Sequence, residues 1–445
     1  MTPNVENALK AATDTKALLV GRGVLREAAP LFKEQFGDKR ALIVADTTTF
    51  GIAGRDVSEF LRQGGVPQDE AFVFSEPEMH AEYHHVEALA ERLRATDAIP
   101  VAVGSGTVND LCKLAAHLVE RPYMIVGTAA SMDGYTSFGA SITADGAKQT
   151  FNCPAPRAVL ADLDIFARAP ADMTAAGYAD LFSKVTAGGD WLVADMLAVE
   201  PIIPRAWDIV QGGLADALGD PAGVRAGDAV ALGKLVEGLM LAGFAMQYSR
   251  ISRPASGAEH YISHLWDMEG HRYRGHGVSH GFQVAVGTVA ILAFYEQLFK
   301  HDLAALDIER CCAAWPELAK VESDAMAEFG STVFRDRVLS ESRAKYINKE
   351  QLAAKLALVK QNWIALKPRL EKQLLPVAEA QRLLRLAGAP AEPEDVGASR
   401  AQLRRALTVA PMLRNRVTVL DLAHYTGLFD TCIDGLFGKG GRWEI

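Results

Sequence analysis

Neutral imidazole is the commonest side-chain ligand for late first-row divalent metals. This chain crowds five of its eleven histidines into the stretch from Ser256 to Gly287, SGAEHYISHLWDMEGHRYRGHGVSHGFQVAVG. His260 and His264 stand four apart, as do His276 and His280. On a helix, each pair would share one face. Between the pairs, Asp267, Glu269, Gly270, Gly275 and Gly277 make a polar, glycine-bearing connection that lets the second pair fold back toward the first. A metal site is one reading of this pattern. Solvated or core-satisfied histidines are another, and spacing alone leaves both open. The protease pattern H-E-x-x-H is absent, because Glu259 precedes His260 instead of following it.

A second set of residues suits a nucleotide. RALIVAD ends on Asp46, and a carboxylate at a strand tip accepts the hydroxyls of an adenosine ribose while repelling a 2′-phosphate. Capping of the following TTTFG is the competing use of Asp46. VAVGSGTVND sets Gly104 and Gly106 after an apolar run and before NDLCKLAAHLV. Glycines there let the backbone approach a pyrophosphate whose charge the helix amino end stabilises. The third glycine of the usual fingerprint is missing, with Asn109 in its place, and Asp46 precedes Gly104 by 58 positions, the reverse of the common order. GTAASMDGYTSFGASI (127–142) is rich in small and hydroxyl residues with one carboxylate, Asp133. It could wall a nicotinamide and a polyol, or be an ordinary turn.

The elements that must position these groups fall into two kinds. ALLVG (17–21), RALIVAD (40–46), AFVF (71–74), IPVAVGSG (99–106) and PYMIVGTAAS (122–131) read as buried parallel strands, with helical spacing in VLREAAPLFKEQF and HVEALAERLRATD between them. The expectation is a doubly wound, Rossmann-like α/β domain over 1–168, with ligands beyond the carboxyl ends of the strands. Asp145-Gly146 between two strand-like runs predicts a hairpin. From 169 to 445 the spacing is helical, as in ADMTAAGYADLFSKVTAGGDWLVADM, VALGKLVEGLMLAGFAM and AQLRRALTVAPML, which predicts an all-α domain. Phe282 to Tyr295 reads as a buried helix too short to span a bilayer, and AGAPAEPED (387–395) as a loop.

The bulk numbers exclude some classes. A chain of 445 residues exceeds one ordinary core and favours two domains. A net charge of -9 argues against a nucleic-acid surface, yet a local positive pocket can still take an anionic substrate. Five cysteines without C-x-x-C spacing suggest neither a disulfide framework nor a thiolate zinc site, and fit a reducing cytoplasm. The start MTPNVENALKAATDTKALLVGRG lacks the apolar core of a signal peptide, and no membrane insertion is expected.

Taken in order, GSGTVND, GTAASMDGYTSFGASI, GYADLFSK, SGAEHYISH, HGFQVAVG and RNRVTVLDLAHYTGLFD resemble the sn-glycerol-1-phosphate dehydrogenases of the dehydroquinate synthase-like and iron-type alcohol dehydrogenase superfamily. The resemblance implies a dehydroquinate synthase-like fold, NAD or NADP as cofactor, and one divalent metal, zinc first with nickel or iron next. It also implies a phosphorylated ketone or alcohol as substrate and a homo-oligomer. By the same resemblance the metal ligands are Asp180, His260 and His280, with His264 a neighbour and proton-donor candidate, and His271 and His276 outside the site. Gly104, Ser105, Gly106 and Thr107 fall to the pyrophosphate, Thr128 and Ser131 to the nicotinamide half, Asp46 to the ribose, Asp110 to a cofactor or structural role, and Asp133 to substrate hydroxyls. One position departs. Where iron-type alcohol dehydrogenases carry a further histidine ligand, this chain has Lys184, which implies contact with a substrate phosphate or the cofactor, or an ion pair with Asp180. Arg253 is a weaker candidate for the phosphate. The rival activities are a sugar-phosphate cyclase of the dehydroquinate synthase type, which usually has Glu at Asp180, and a dehydrogenase of unphosphorylated glycerol or another polyol.

Overall fold

The computed structural model describes residues 2–76, 79–144 and 146–445. Six strands make one parallel sheet: β1 (Ala17–Gly21), β2 (Ala41–Asp46), β3 (Phe72–Phe74), β4 (Ile99–Gly104), β5 (Met124–Gly127) and, after the hairpin strands β6 (Ala140–Ala144) and β7 (Ala147–Phe151), β8 (Ala158–Asp162). Their order is β1-β8-β5-β4-β2-β3. The five expected strands are present, and RAVLADLD supplies a sixth that sits between β1 and β5. Strands buried on both faces read as continuous apolar runs, and Ile43, Val101, Val103, Val126 and Leu160 pack on one face against Phe32 and Leu61. The predicted hairpin forms as β6 against β7, with Gly146 at φ 74°; Asp145 lies outside the described residues.

Six helices matter to the site: α1 (Gly106–Leu118), α2 (Ala171–Phe182), α3 (Lys184–Met196), α4 (Ala229–Ser249), α5 (Ala258–Met268) and α6 (His280–Leu298). The chain divides into two compact units, but not at one cut. Residues 1–181, 204–255 and 386–388 form the first, and 182–203, 256–385 and 389–445 the second. The boundary expected at 168/169 therefore leaves out helices that complete the sheet unit. α4 belongs there because Gln247, wholly buried, accepts from the Asp14 and Thr15 amides at 2.8 and 3.2 Å and donates to Thr136 O at 2.9 Å.

The second unit is helical apart from a two-stranded hairpin, Arg272–Tyr273 against His276–Gly277. Arg274 and Gly275 turn it with φ of 51° and 86°, the doubly positive pattern of a tight hairpin turn. His276 is thus in a strand, not on a helix with His280, and the spacing of four between them has no helical meaning. α4 and α6 are long and apolar enough by length and composition to cross a membrane, yet 72% and 83% of their apolar windows are buried inside the protein. Both are core helices. The apolar Phe282–Tyr295 run is part of a longer helix than its composition suggested.

Candidate metal centre

In the helical unit α5 and α6 lie side by side, and the histidines converge along their contact. Gly287 makes that approach possible: a Cβ on it would stand 2.5 Å from the Glu259 carbonyl oxygen. The His260 and His280 ring centroids are 5.2 Å apart, and His264 lies 6.2 and 6.1 Å from them. His260 is 7% exposed, while His264 and His280 are half-buried.

His260 and His280 each have one ring nitrogen engaged. His260 Nδ1 is 2.9 Å from Glu259 Oε1, and His280 Nδ1 is 2.9 Å from Ser263 Oγ. An Nδ1–H donated to a carboxylate fixes the tautomer and turns the Nε2 lone pair outward, as in ligating histidines. Glu259 is wholly buried and further held by the Gly257 amide at 2.6 Å and Thr186 Oγ1 at 2.9 Å. Burial opposes its ionisation, but the hydrogen bond and charge of His260 and the Gly257 amide outweigh that and hold its pKa below the ordinary value. Behind it, Asp190 accepts from the Ala258 amide at 2.8 Å, Tyr295 Oη at 2.7 Å and the Val419 amide at 2.9 Å. Asp190 thereby supplies from another helix the cap that Gly257 cannot give α5. Its pKa is pushed up to about 6 by burial and by the neighbouring Glu259 charge. Neither Glu259 nor Ser263 was foreseen as a site residue. Ser263 sits three after His260, on the same helix face, and Glu259 is the carboxylate next to it.

In the sheet unit Asp180 is 1% exposed near the end of α2, and its Oδ2 accepts from the Asp133 amide at 3.0 Å. Gly177 sets the height of α2, since a Cβ there would stand 1.8 Å from Ala130 O. The trio that the family resemblance implies takes Asp180 from the sheet unit and His260 and His280 from the helical unit. A carboxylate oxygen and two imidazole nitrogens form a donor set that zinc, nickel and ferrous iron all accept, so these residues fit a divalent ion. His264 is outside that trio. Lys184 opens α3 after a break at Ser183, wholly buried, its Nζ 3.4 Å from Ser183 Oγ; it does not continue the helix of Asp180.

The expected nucleotide residues gather at the carboxyl ends of β2, β4 and β5. Asp46 Oδ1 caps the turn that follows, accepting from the Thr49 amide at 2.7 Å. Gly104 is needed for space, because its Cβ would lie 2.5 Å from Val108 Cβ. Ser105 makes no side-chain cap, which leaves the α1 amino end open to an anion beside Gly106 and Thr107. Thr128 hydrogen-bonds through its amide to Gly104 O at 3.1 Å, which ties the two turns together, and Ser131 and Asp133 are half-buried on the next loop. Asp110 turns to the structure: it accepts from the Ser141 amide at 3.0 Å and lies 3.7 Å from Lys113 Nζ. Lys113 in turn donates to Gly134, Ser137 and Gly139 carbonyls at 3.0, 3.0 and 2.9 Å. Asn109, in the place of the third glycine, donates to Gly134 O at 3.2 Å and accepts from Tyr123 Oη at 3.0 Å. It holds the loop that a smaller residue would free. His271 bonds Val396 O at 2.8 Å and His276 is exposed.

The sequence model of the family described as iron-containing alcohol dehydrogenase matches residues 19–170. A glycerol-1-phosphate dehydrogenase [NAD(P)+] of Geobacillus stearothermophilus is 30% identical over 391 residues, covering 86% of each chain. That of Halalkalibacterium halodurans is 34% identical over 281 residues, 63% of this chain and 70% of its own. The chain belongs to the glycerol-1-phosphate dehydrogenase family. Among solved structures, NADH-dependent butanol dehydrogenase A of Thermotoga maritima superposes with a TM-score of 0.58 at 15% identity, over 95% of this chain and 97% of its own. That likeness speaks for the fold of iron-type alcohol dehydrogenases.

Proposed function

We propose that the protein is a metal-dependent NAD(P)(H) oxidoreductase that interconverts dihydroxyacetone phosphate and sn-glycerol 1-phosphate. The observation that carries this reading is the pair His260 and His280, ring centroids 5.2 Å apart and each with Nδ1 engaged, in a chain of this family, with Asp180 as the third ligand of the set. Zinc is the first choice of ion, with nickel or ferrous iron next, because the set mixes nitrogen and oxygen donors. A bound ion would supply Lewis-acid polarisation of a carbonyl, and a bound nicotinamide the hydride.

The chain's own residues do the rest. Glu259 and Ser263 orient the two imidazoles. Gly104, Ser105, Gly106 and Thr107 receive the diphosphate, Thr128 and Ser131 flank the nicotinamide half, and Asp46 keeps its second oxygen for the ribose. Asp133 meets the substrate hydroxyls, Lys184 the phosphate, and His264 supplies the proton to the product oxygen. Five free cysteines fit a reducing cytoplasm, and the assembly is a homo-oligomer.

The test is metal-reconstituted protein with dihydroxyacetone phosphate and NADH or NADPH, followed by the absorbance of the reduced nicotinamide and by stereochemical analysis of the product. Net oxidation yielding sn-glycerol 1-phosphate supports the proposal. Product of the opposite configuration, or equal use of unphosphorylated dihydroxyacetone, overturns the named substrate. Cofactor use without net turnover would indicate a cyclase. A Lys184→Ala enzyme with an unchanged Michaelis constant for the phosphorylated ketone removes the phosphate role.

A further inference from the structure

The sheet unit holds a second group of metal-ligand type that the proposed reaction does not use. Glu76 follows β3, and His84 and His85 lie in the first turn of the helix Tyr83–Arg94. One ligand atom from each lies within 4.8 Å of the others. His85 Nε2 is 3.3 Å from Glu76 Oε2, and His84 Nε2 is 3.9 Å from Glu76 Oε1. With bonds of about 2.0–2.2 Å, ligand atoms on a tetrahedral ion stand about 3.3–3.6 Å apart, so the group needs little movement to close on one.

Two further observations separate it from a chance surface cluster. Glu82 Oε2 stands 3.3 Å from His84 Nδ1, the nitrogen that faces away from Glu76. A carboxylate on the far nitrogen is the arrangement that fixes a ligating histidine with its other nitrogen bare. The histidine side is also preset. His85 is 6% exposed and packs edge-on against Phe74 at 5.4 Å, Tyr83 stacks on Phe151 at 5.6 Å, and the Thr143 amide donates to Ala81 O at 2.7 Å. Only the carboxylate of Glu76, more than half exposed, has to be ordered on binding.

We propose that Glu76, His84 and His85 bind a second divalent transition-metal ion of the zinc or nickel class. The ion ties the segment after β3 to the start of the Tyr83–Arg94 helix, close to the Asp46 tip of β2, since Phe74 is Asp46's partner in the sheet. Glu82 is its positioning residue. The inference stands whether or not the proposed activity does.

The experiment is equilibrium dialysis of tag-free, full-length protein against micromolar free zinc, with metal counted per chain. Wild type should bind two ions, and Glu76→Gln and His84→Ala, both exposed positions, one. Glu82→Gln should retain the second ion with affinity weaker by about tenfold or more. In a His260→Ala, His280→Ala protein, one ion should remain and be lost on adding Glu76→Gln. Unchanged melting temperatures of the metal-free variants would separate ligand loss from unfolding. A His260→Ala, His280→Ala protein that binds no ion, or an ion that it holds as well after Glu76→Gln or His84→Ala is added, overturns the proposal.

Discussion

At the scale of single residues, the proposed site combines ligands with the groups that would aim them. Glu259 is the clearest of the second kind: buried, engaged by the Gly257 amide and Thr186 Oγ1, and on the Nδ1 of His260. Glu259→Gln keeps the shape but can present an amide N–H to the ring. We expect metal affinity to fall by about 10- to 100-fold, measured by dialysis against a chelator-buffered series, with the substrate Michaelis constant less affected than turnover. Asp190 gives a pH signature. Its folded pKa of about 6 lies above that of an unfolded aspartate, so between about pH 4 and 6 the native state holds the extra proton and stability falls as pH rises. Metal-free wild type should therefore gain melting temperature relative to Asp190→Asn as pH is lowered from 7 to about 4.5. A difference flat with pH would mean that folding leaves the Asp190 pKa unperturbed.

At the scale of elements, glycines decide how near the ligand-bearing helices come. Gly287 brings α6 onto the backbone of Glu259, and Gly177 brings α2 onto Ala130. Neither has a positive φ, so space and not backbone freedom is what they provide. Gly287→Ala should cost about 1–3 kcal/mol of stability and lower metal content at fixed free zinc, because it pushes His280 away from His260. A variant with native melting temperature and full metal would show that the helices separate without cost. By helix propensity alone a glycine inside a helix is a weak point. The use of these two depends on what crosses them.

At the scale of the whole molecule, the units interleave along the chain. The first takes residues 204–255 back after a stretch given to the second. Gln247 and Gly243 on α4 close over Thr15, Thr136 and the Asp133 carbonyl, with no room at Gly243 for a methyl, whose carbon would lie 2.2 Å from Thr136 Oγ1. A fragment of residues 1–168 should thus expose the 133–137 loop and Thr15 and fail to fold on its own. Near-UV circular dichroism of the fragment is the check, and a cooperative native-like spectrum would show that the sheet needs no later helix. Five strands of the sheet were legible as apolar runs after turn residues, because strands buried on both faces carry that pattern wherever they lie. β8 was not, since RAVLADLD is short and flanked by Pro156 and charged residues, and only its place between β1 and β5 makes it central.

What the sequence by itself determined is the chemistry available. Residue type and spacing along one helix fixed His260 and His264 on a shared face, glycines at a strand end, an acid at a strand tip, and an order of motifs specific enough to name a family. What only the tertiary structure decided is which of those groups meet. His276 and His280 have the spacing of His260 and His264, yet one lies in a hairpin and the other begins a helix. Glu259, Ser263 and the group at Glu76 gain their meaning from neighbours across turns and between elements. The reason is physical: coordination and hydrogen bonding act over about 2–3 Å, and a one-dimensional order constrains such distances only within a helical turn or two.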